Sequence, residues 1–141
     1  VELQIQRCHP DARLPHYAHP GDAGLDLYAV EKVLLKPGRR ALVSTGIALA
    51  LPPNTEAQVR PRSGLALNHG ITVLNSPGTV DEQYRGVVGV ILINLSDQDF
   101  LVTVGMKIAQ LVVQPVLRVQ VQVVKELPPS VRGTGGFGST G

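Results

Sequence analysis

The chain has 141 residues, 43% of them hydrophobic and 17% charged, with a formal net charge of +2. That composition suits one globular domain with its own core and excludes a disordered chain. The small charge, carried by scattered Lys and Arg, gives no argument by itself for a nucleic-acid backbone partner.

Short β-like runs then follow one another, separated by turn residues. Leu3–Arg7 alternates apolar and polar side chains and predicts a first strand, with Cys8 as a small buried hydrophobe at its end. Val33–Leu35 and Arg39–Ser44 flank Pro37-Gly38, a pair suited to the centre of a type II turn. Ile47–Leu51 and Thr55–Arg60 flank Pro52-Pro53-Asn54. Ser63 predicts the cap of one short helix through Leu65-Ala66-Leu67, stopped by Gly70. Asn75–Gly86 reads as a β-hairpin. Val87–Leu95 is almost continuously apolar and predicts a strand buried on both faces. Lys107–Gln114 is similar but carries Gln110 in its middle. Val119, Val121 and Val123 alternate with Gln120 and Gln122 and predict a half-buried strand.

The sum is an all-β antiparallel sandwich or barrel of jelly-roll type with one short helix. Strands that are apolar on both faces in so small a domain imply that partner chains cover one of them. Cys8 is the single cysteine. No apolar run reaches membrane length, and no signal peptide is evident, so a reducing, cytoplasmic compartment is expected. The sequon Asn94-Leu95-Ser96 is expected to be a chance match.

Five segments carry residues with chemical potential, each open to a bland reading. Asp22 and Asp26 flank a glycine before a strand. They cap a turn, or at least one faces a cation such as Mg²⁺, which keeps most of its waters and prefers phosphate co-ligands. Arg62-Ser63-Gly64 opens the helix, where free N–H groups, the dipole and a guanidinium suit an anion. In the segment from Asn75 to Gly86, Asn75 is a candidate hydrogen-bond reader, Asp81 a candidate base and Tyr84 a candidate stacking ring. Gly78 there allows close backbone approach. The alternative is a polar hairpin tip. Gln110, an amide in an apolar strand, needs a partner: backbone, water or ligand. The end, Arg132-Gly-Thr-Gly-Gly-Phe-Gly-Ser-Thr-Gly141, holds a guanidinium, hydroxyls, an aromatic ring and glycines. It suits an arm that orders over a nucleotide, or else a disordered tail that touches RNA.

In this order and in so short a chain, the five segments resemble the motifs of the trimeric dUTP diphosphatases, the dUTPases. Asp22–Ala29, Arg62–Ala66, Gly78–Gly86, Lys107–Leu111 and Arg132–Gly141 match all five. The resemblance implies a distorted jelly-roll barrel over residues 1–128, a flexible arm over 129–141, and a homotrimer whose sites are shared between subunits. The implied reaction is hydrolysis of dUTP to dUMP and pyrophosphate by water attack on the α-phosphorus, with Mg²⁺ on the triphosphate. It limits uracil entry into DNA and supplies dUMP.

By that resemblance Asp81 deprotonates the water and Gln110 helps hold it. Asp26 holds Mg²⁺ through its water shell, with Asp22 as the second candidate. Arg62, Ser63 and Gly64 bind phosphate. Asn75, Gly78 and Val80 read uracil, and Tyr84 excludes a 2′-hydroxyl. Phe137 covers the base, Arg132 takes the γ-phosphate, and Gly138, Ser139 and Thr140 complete the arm's grip. Neither nucleic acid nor membrane is an implied partner.

Lys107 stands where the family often has arginine, Met106 and Val87 where it often has acids, and Glu82-Gln83 where a second Asp is frequent. A dCTP deaminase-related enzyme on the same fold is disfavoured by Gly64 after Arg62-Ser63 and by the lack of an acid in Val87–Ile93. A non-catalytic regulatory trimer is disfavoured by the retained Asp81, Gln110 and arm. A metal site at His16 and His19 has no cysteine nearby to support it.

Overall fold

Alternation of side chains sets the strands, and the computed structural model, which describes residues 1–141, contains ten of them and one helix. In chain order they are β1 (Gln4–Arg7), β2 (Leu25–Tyr28), β3 (Val33–Leu35), β4 (Arg40–Ala50), β5 (Thr55–Arg60), α1 (Ser63–His69), β6 (Ile71–Val73), β7 (Gly78–Val80), β8 (Val87–Asn94), β9 (Phe100–Val102) and β10 (Lys107–Pro115). Two four-stranded sheets, ordered β1-β4-β8-β6 and β2-β10-β5-β7, enclose the core, and β3 pairs with β9 in a small third sheet. Every pairing is antiparallel. This is the expected jelly-roll class.

Aliphatic side chains fill the space between the sheets. Leu27, Ile47, Leu92, Ile108 and Leu111 are fully buried, each contributing about 1.5–3 kcal/mol over exposure. The turn at Pro37-Gly38 has the expected form: Gly38 takes φ +74° and the Arg39 N–H donates to the Lys36 carbonyl at 3.0 Å. Asn94 is wholly buried, and its amide donates to the carbonyls of Leu35 and Gln98 at 2.9 and 2.7 Å. That burial removes the sequon from any glycosylating enzyme.

Several expectations are corrected. The runs on either side of Thr45-Gly46 form one strand, β4, whose register against β8 shifts between Ser44 and Ala48. Asn75–Gly86 is not a hairpin: β6 joins β8 in the first sheet and β7 joins β5 in the second. Its one strand, β7, belongs to the second sheet, while β6 before it and β8 after it lie in the first, a division that alternation alone cannot assign. β8 is buried on one face only, with Gly89, Ile91 and Ile93 half-exposed in the single protomer. Val119–Val123 forms no strand, and its valines are exposed, because no neighbouring strand of the same chain lies beside it. The helix begins one residue earlier than expected: Arg62 occupies the cap position without a side-chain cap bond, which leaves the Ser63 hydroxyl outside that role. Gly70 ends the helix at φ +66° as expected. Cys8 is exposed rather than buried.

Candidate functional site

The second sheet builds one half of the site by register. Gln110 on β10 lies opposite Asp26 on β2 and opposite Arg60 on β5. Directly paired residues share a face, so the three side chains form a row across the sheet. Arg62, Ser63 and Gly64 follow β5 after Pro61, as the cap and first residues of α1 beside that row. A Cβ on Gly24 would lie 2.3 Å from Gln110 Oε1, so only glycine lets the loop before β2 close over the amide.

Asp26 is the electrostatic centre of this half. It is 7% exposed. Arg62 Nε lies 3.7 Å from its Oδ1 and Lys107 Nζ 3.1 Å from its Oδ2. Yet Oδ2 accepts no hydrogen bond: the Lys107 contact neutralises charge without the alignment of a donor. A buried acceptor of this kind suits the water shell of a cation. No three His, Cys, Asp or Glu side chains converge into a metal cage. The unpartnered Oδ2 is an oxygen donor of the kind that would suit Mg²⁺ bound mainly by phosphate and water.

Asp22 uses one carboxylate oxygen to accept the His19 N–H at 2.9 Å, closing a turn, while still lining the cleft with Asp26. Gln110 has a backbone partner, the Pro61 carbonyl, to which its amide donates at 2.9 Å. His16 is held by Tyr28, the two polar atoms lying 2.9 Å apart.

The other half lies in a cleft of about 260 Å³ lined by Asn75, Gly78, Val80, Asp81 and Tyr84. β5 contributes Val59 to this cleft and Gln58 and Arg60 to the one that holds Gln110. Successive residues of a strand face opposite ways, so the two clefts lie on opposite faces of β5. Asp81 is exposed at the end of β7. The Tyr84 hydroxyl donates to the Val87 carbonyl at 3.2 Å, and a Cβ on Gly86 would meet that hydroxyl at 2.3 Å. Gly86 is thus the residue that lets the ring fold back over the turn.

One protomer therefore brings Asp26, Arg62, Ser63, Gly64 and Gln110 together, and separately Asn75, Gly78, Val80, Asp81 and Tyr84. It does not join the two sets. The glycine-rich end touches neither. Phe137 is wholly exposed, and Arg132 Nε donates to the nearby Gly135 carbonyl at 2.7 Å. Gly138, Ser139 and Thr140 are also exposed. Sequence reasoning missed Arg60 and Gln58, whose place in the second cleft depends on a register no local pattern records.

Known proteins decide the family. The dUTPase family model matches residues 10–141. The chain belongs to the dUTPase family. It is 63% identical over 141 residues to a deoxyuridine 5′-triphosphate nucleotidohydrolase of Clostridium acetobutylicum, covering all of this chain and 97% of that protein. It is 60% identical over 141 residues to the protein of that name in Clostridium kluyveri, covering 99% of it. A mutant dUTPase of Staphylococcus bacteriophage 80alpha with dUpNHpp superposes with a TM-score of 0.93 at 26% identity, covering 99% of this chain and 98% of that one. A mutant dUTPase from phage phi11 of S. aureus, described with a structural Mg(II) ion, gives 0.83 at 25% identity over 89% of this chain and 98% of that one.

Proposed function

We propose that this dUTPase-family chain hydrolyses dUTP to dUMP and pyrophosphate, with Mg²⁺, in a homotrimer. Each site takes the Asp81 cleft from one subunit, the Gln110 cleft from a second and the glycine-rich arm from a third. The observation that carries the reading is the 63% identity, over the whole chain, to a nucleotidohydrolase of that substrate. The separation of the two clefts within a protomer supports the shared site.

Asp81 orients a water and accepts its proton. A carboxylate is a weak base, so alignment and charge neutralisation lower most of the barrier. Gln110 holds the same water through the amide valence that Pro61 leaves free. Arg62 and the free N–H groups at the start of α1 meet charge that develops on the phosphate chain. Asp26 would hold Mg²⁺ through the ion's water shell, and the ion would add to the neutralisation of the triphosphate.

Around the base, the backbone near Gly78 and Val80 and the Asn75 amide match the pairing edge of uracil and leave unpaired groups against cytosine. Tyr84, folded over Gly86, leaves no room for a 2′-hydroxyl. Residues 129–141 close over the nucleotide: Phe137 stacks on the base, while Arg132, Ser139 and Thr140 grip the terminal phosphate. Closure excludes water and strengthens these contacts.

The test is pyrophosphate release by the purified chain with Mg²⁺ and each of dUTP, dTTP, dCTP and UTP. Turnover of dUTP alone is expected. Equal turnover of UTP overturns the role of Tyr84, and ammonia release from dCTP would establish deaminase chemistry instead.

A further inference from the structure

Arg60 is a half-buried cation without an anion. It stands at the end of the row Asp26–Gln110–Arg60 and lines, with Gln58, Arg62, Ser63, Pro77 and Gln110, a cleft of about 530 Å³. Its Nε and Nη2 both donate to Gln58 Oε1, at 3.0 and 2.8 Å. Gln58 is two residues away on the same strand, so it shares the face and acts as a neutral brace. Arg60 has no carboxylate partner, whereas its neighbour Arg62 faces Asp26.

A guanidinium drawn partly out of water is costly unless charge or hydrogen bonds compensate it. Gln58 supplies one acceptor for five donors. The brace also fixes the plane of the fork and leaves its remaining N–H edge for another ligand. The cleft it faces is already furnished for an anion by Arg62 and Ser63.

We propose that Arg60 is a further phosphate-binding residue, braced by Gln58, whose guanidinium takes non-bridging oxygens of the substrate's polyphosphate chain beyond the α-phosphorus. This rests on the dUTP reading above. The chemistry is specific: Arg60 distinguishes a nucleoside triphosphate from a monophosphate, since only the former carries the oxygens it would hold.

The experiment is calorimetric titration of the full chain with dUMP, with a non-hydrolysable α,β-imido analogue of dUTP, and with inorganic pyrophosphate, beside steady-state hydrolysis of dUTP. Arg60→Met is expected to weaken the analogue and pyrophosphate about tenfold or more, as loss of a charge-assisted fork does, while dUMP changes less than about twofold. Arg60→Lys, which keeps the charge and loses the fork, falls between. Gln58→Leu leaves the guanidinium but removes its brace, and shifts the same ratio in the same direction by less. Should Arg60→Met not fold, the Lys and Leu variants carry the test. If analogue and dUMP weaken together, Arg60 serves assembly, for instance against a carboxylate of a neighbouring subunit, and the assignment is overturned. It is equally overturned if neither changes. A wild-type chain that does not hydrolyse dUTP sinks the functional reading and Arg60's role with it, whereas normal wild-type turnover with an unaltered ratio in the variants sinks Arg60 alone.

Discussion

The strands that end at Pro115 and the segment that follows them obey different physics. Up to Pro115, paired strands and a shared core fix each functional side chain in space: Gln110 by its two neighbouring strands, Tyr84 by the turn over Gly86. Beyond it, two residues still hold to the body. Val116 N–H donates to the Asn54 carbonyl at 2.9 Å, and Arg118 binds the Asn54 side chain at 2.9 Å and Glu82 at 2.5 Å. From Val119 onward the hydrogen bonds are local turns, such as Gly133 N–H to Ser130 Oγ at 3.0 Å and Gly141 N–H to the Gly138 carbonyl at 3.1 Å. The first region is preorganised. The second carries the groups proposed to bind substrate, and a ligand or a neighbour would have to fix their positions at the cost of ordering glycine-rich backbone.

This contrast makes its strongest demand at Asp81, the base proposed on the ordered side. Asp81→Asn is expected to bind the imido analogue as the wild type does and to lower kcat by about 10³-fold, within the range of general-base catalysis. Near-normal turnover would remove Asp81 from the chemistry. Deleting residues 133–141 tests the other side. Turnover is expected to fall by roughly 10²-fold or more, the scale of losing preorganised donors to transition-state charge. The melting temperature stays put, since no hydrogen bond ties that stretch to the body. A lowered melting temperature would show that the arm is part of the fold.

The junction gives the smallest effect. The hydrogen bond from Arg118, joined by its charge, holds the Glu82 carboxyl below the usual glutamate range. A depressed folded-state pKa stabilises above the unfolded value and loses that stabilisation as pH falls through the folded one. Glu82→Gln should therefore melt slightly below the wild type at neutral pH, and the gap should narrow as pH drops below the ordinary glutamate value of about 4.3 and close only once pH has fallen through the lower folded-state pKa. A gap that persists at low pH would assign the difference to packing instead of charge.

Much of this was legible from the residues. Thr55–Arg60 is a strand at the bounds its alternation implied, Val33–Leu35 is one at the bounds set by the turn after it, and Gly70 stops the helix because only the left-handed conformation closes it there. What local pattern could not supply was partnership. Alternation in Val119–Val123 is a strand's pattern, but with no neighbour of the same chain it stays unpaired. The segment from Asn75 to Gly86 looks like a hairpin because glycines and polar residues punctuate it, yet its one strand, β7, pairs with β5, while β6 before it and β8 after it belong to the other sheet. Asp26, Gln110 and Arg60 are far apart in sequence, and only the pairing of β2, β10 and β5 sets them abreast. The first two stood out by residue type, a carboxylate near a glycine and an amide in an apolar strand, and the third did not.

The opposed faces of β5 carry a last consequence for subunits that share their sites. If Asp81 and Gln110 act together only across a boundary between protomers, neither defect is confined to the chain that bears it. Two dead proteins, one lacking the carboxylate and one lacking the amide, should regain activity when unfolded and renatured as a mixture, because hybrid assemblies pair the sound half of each.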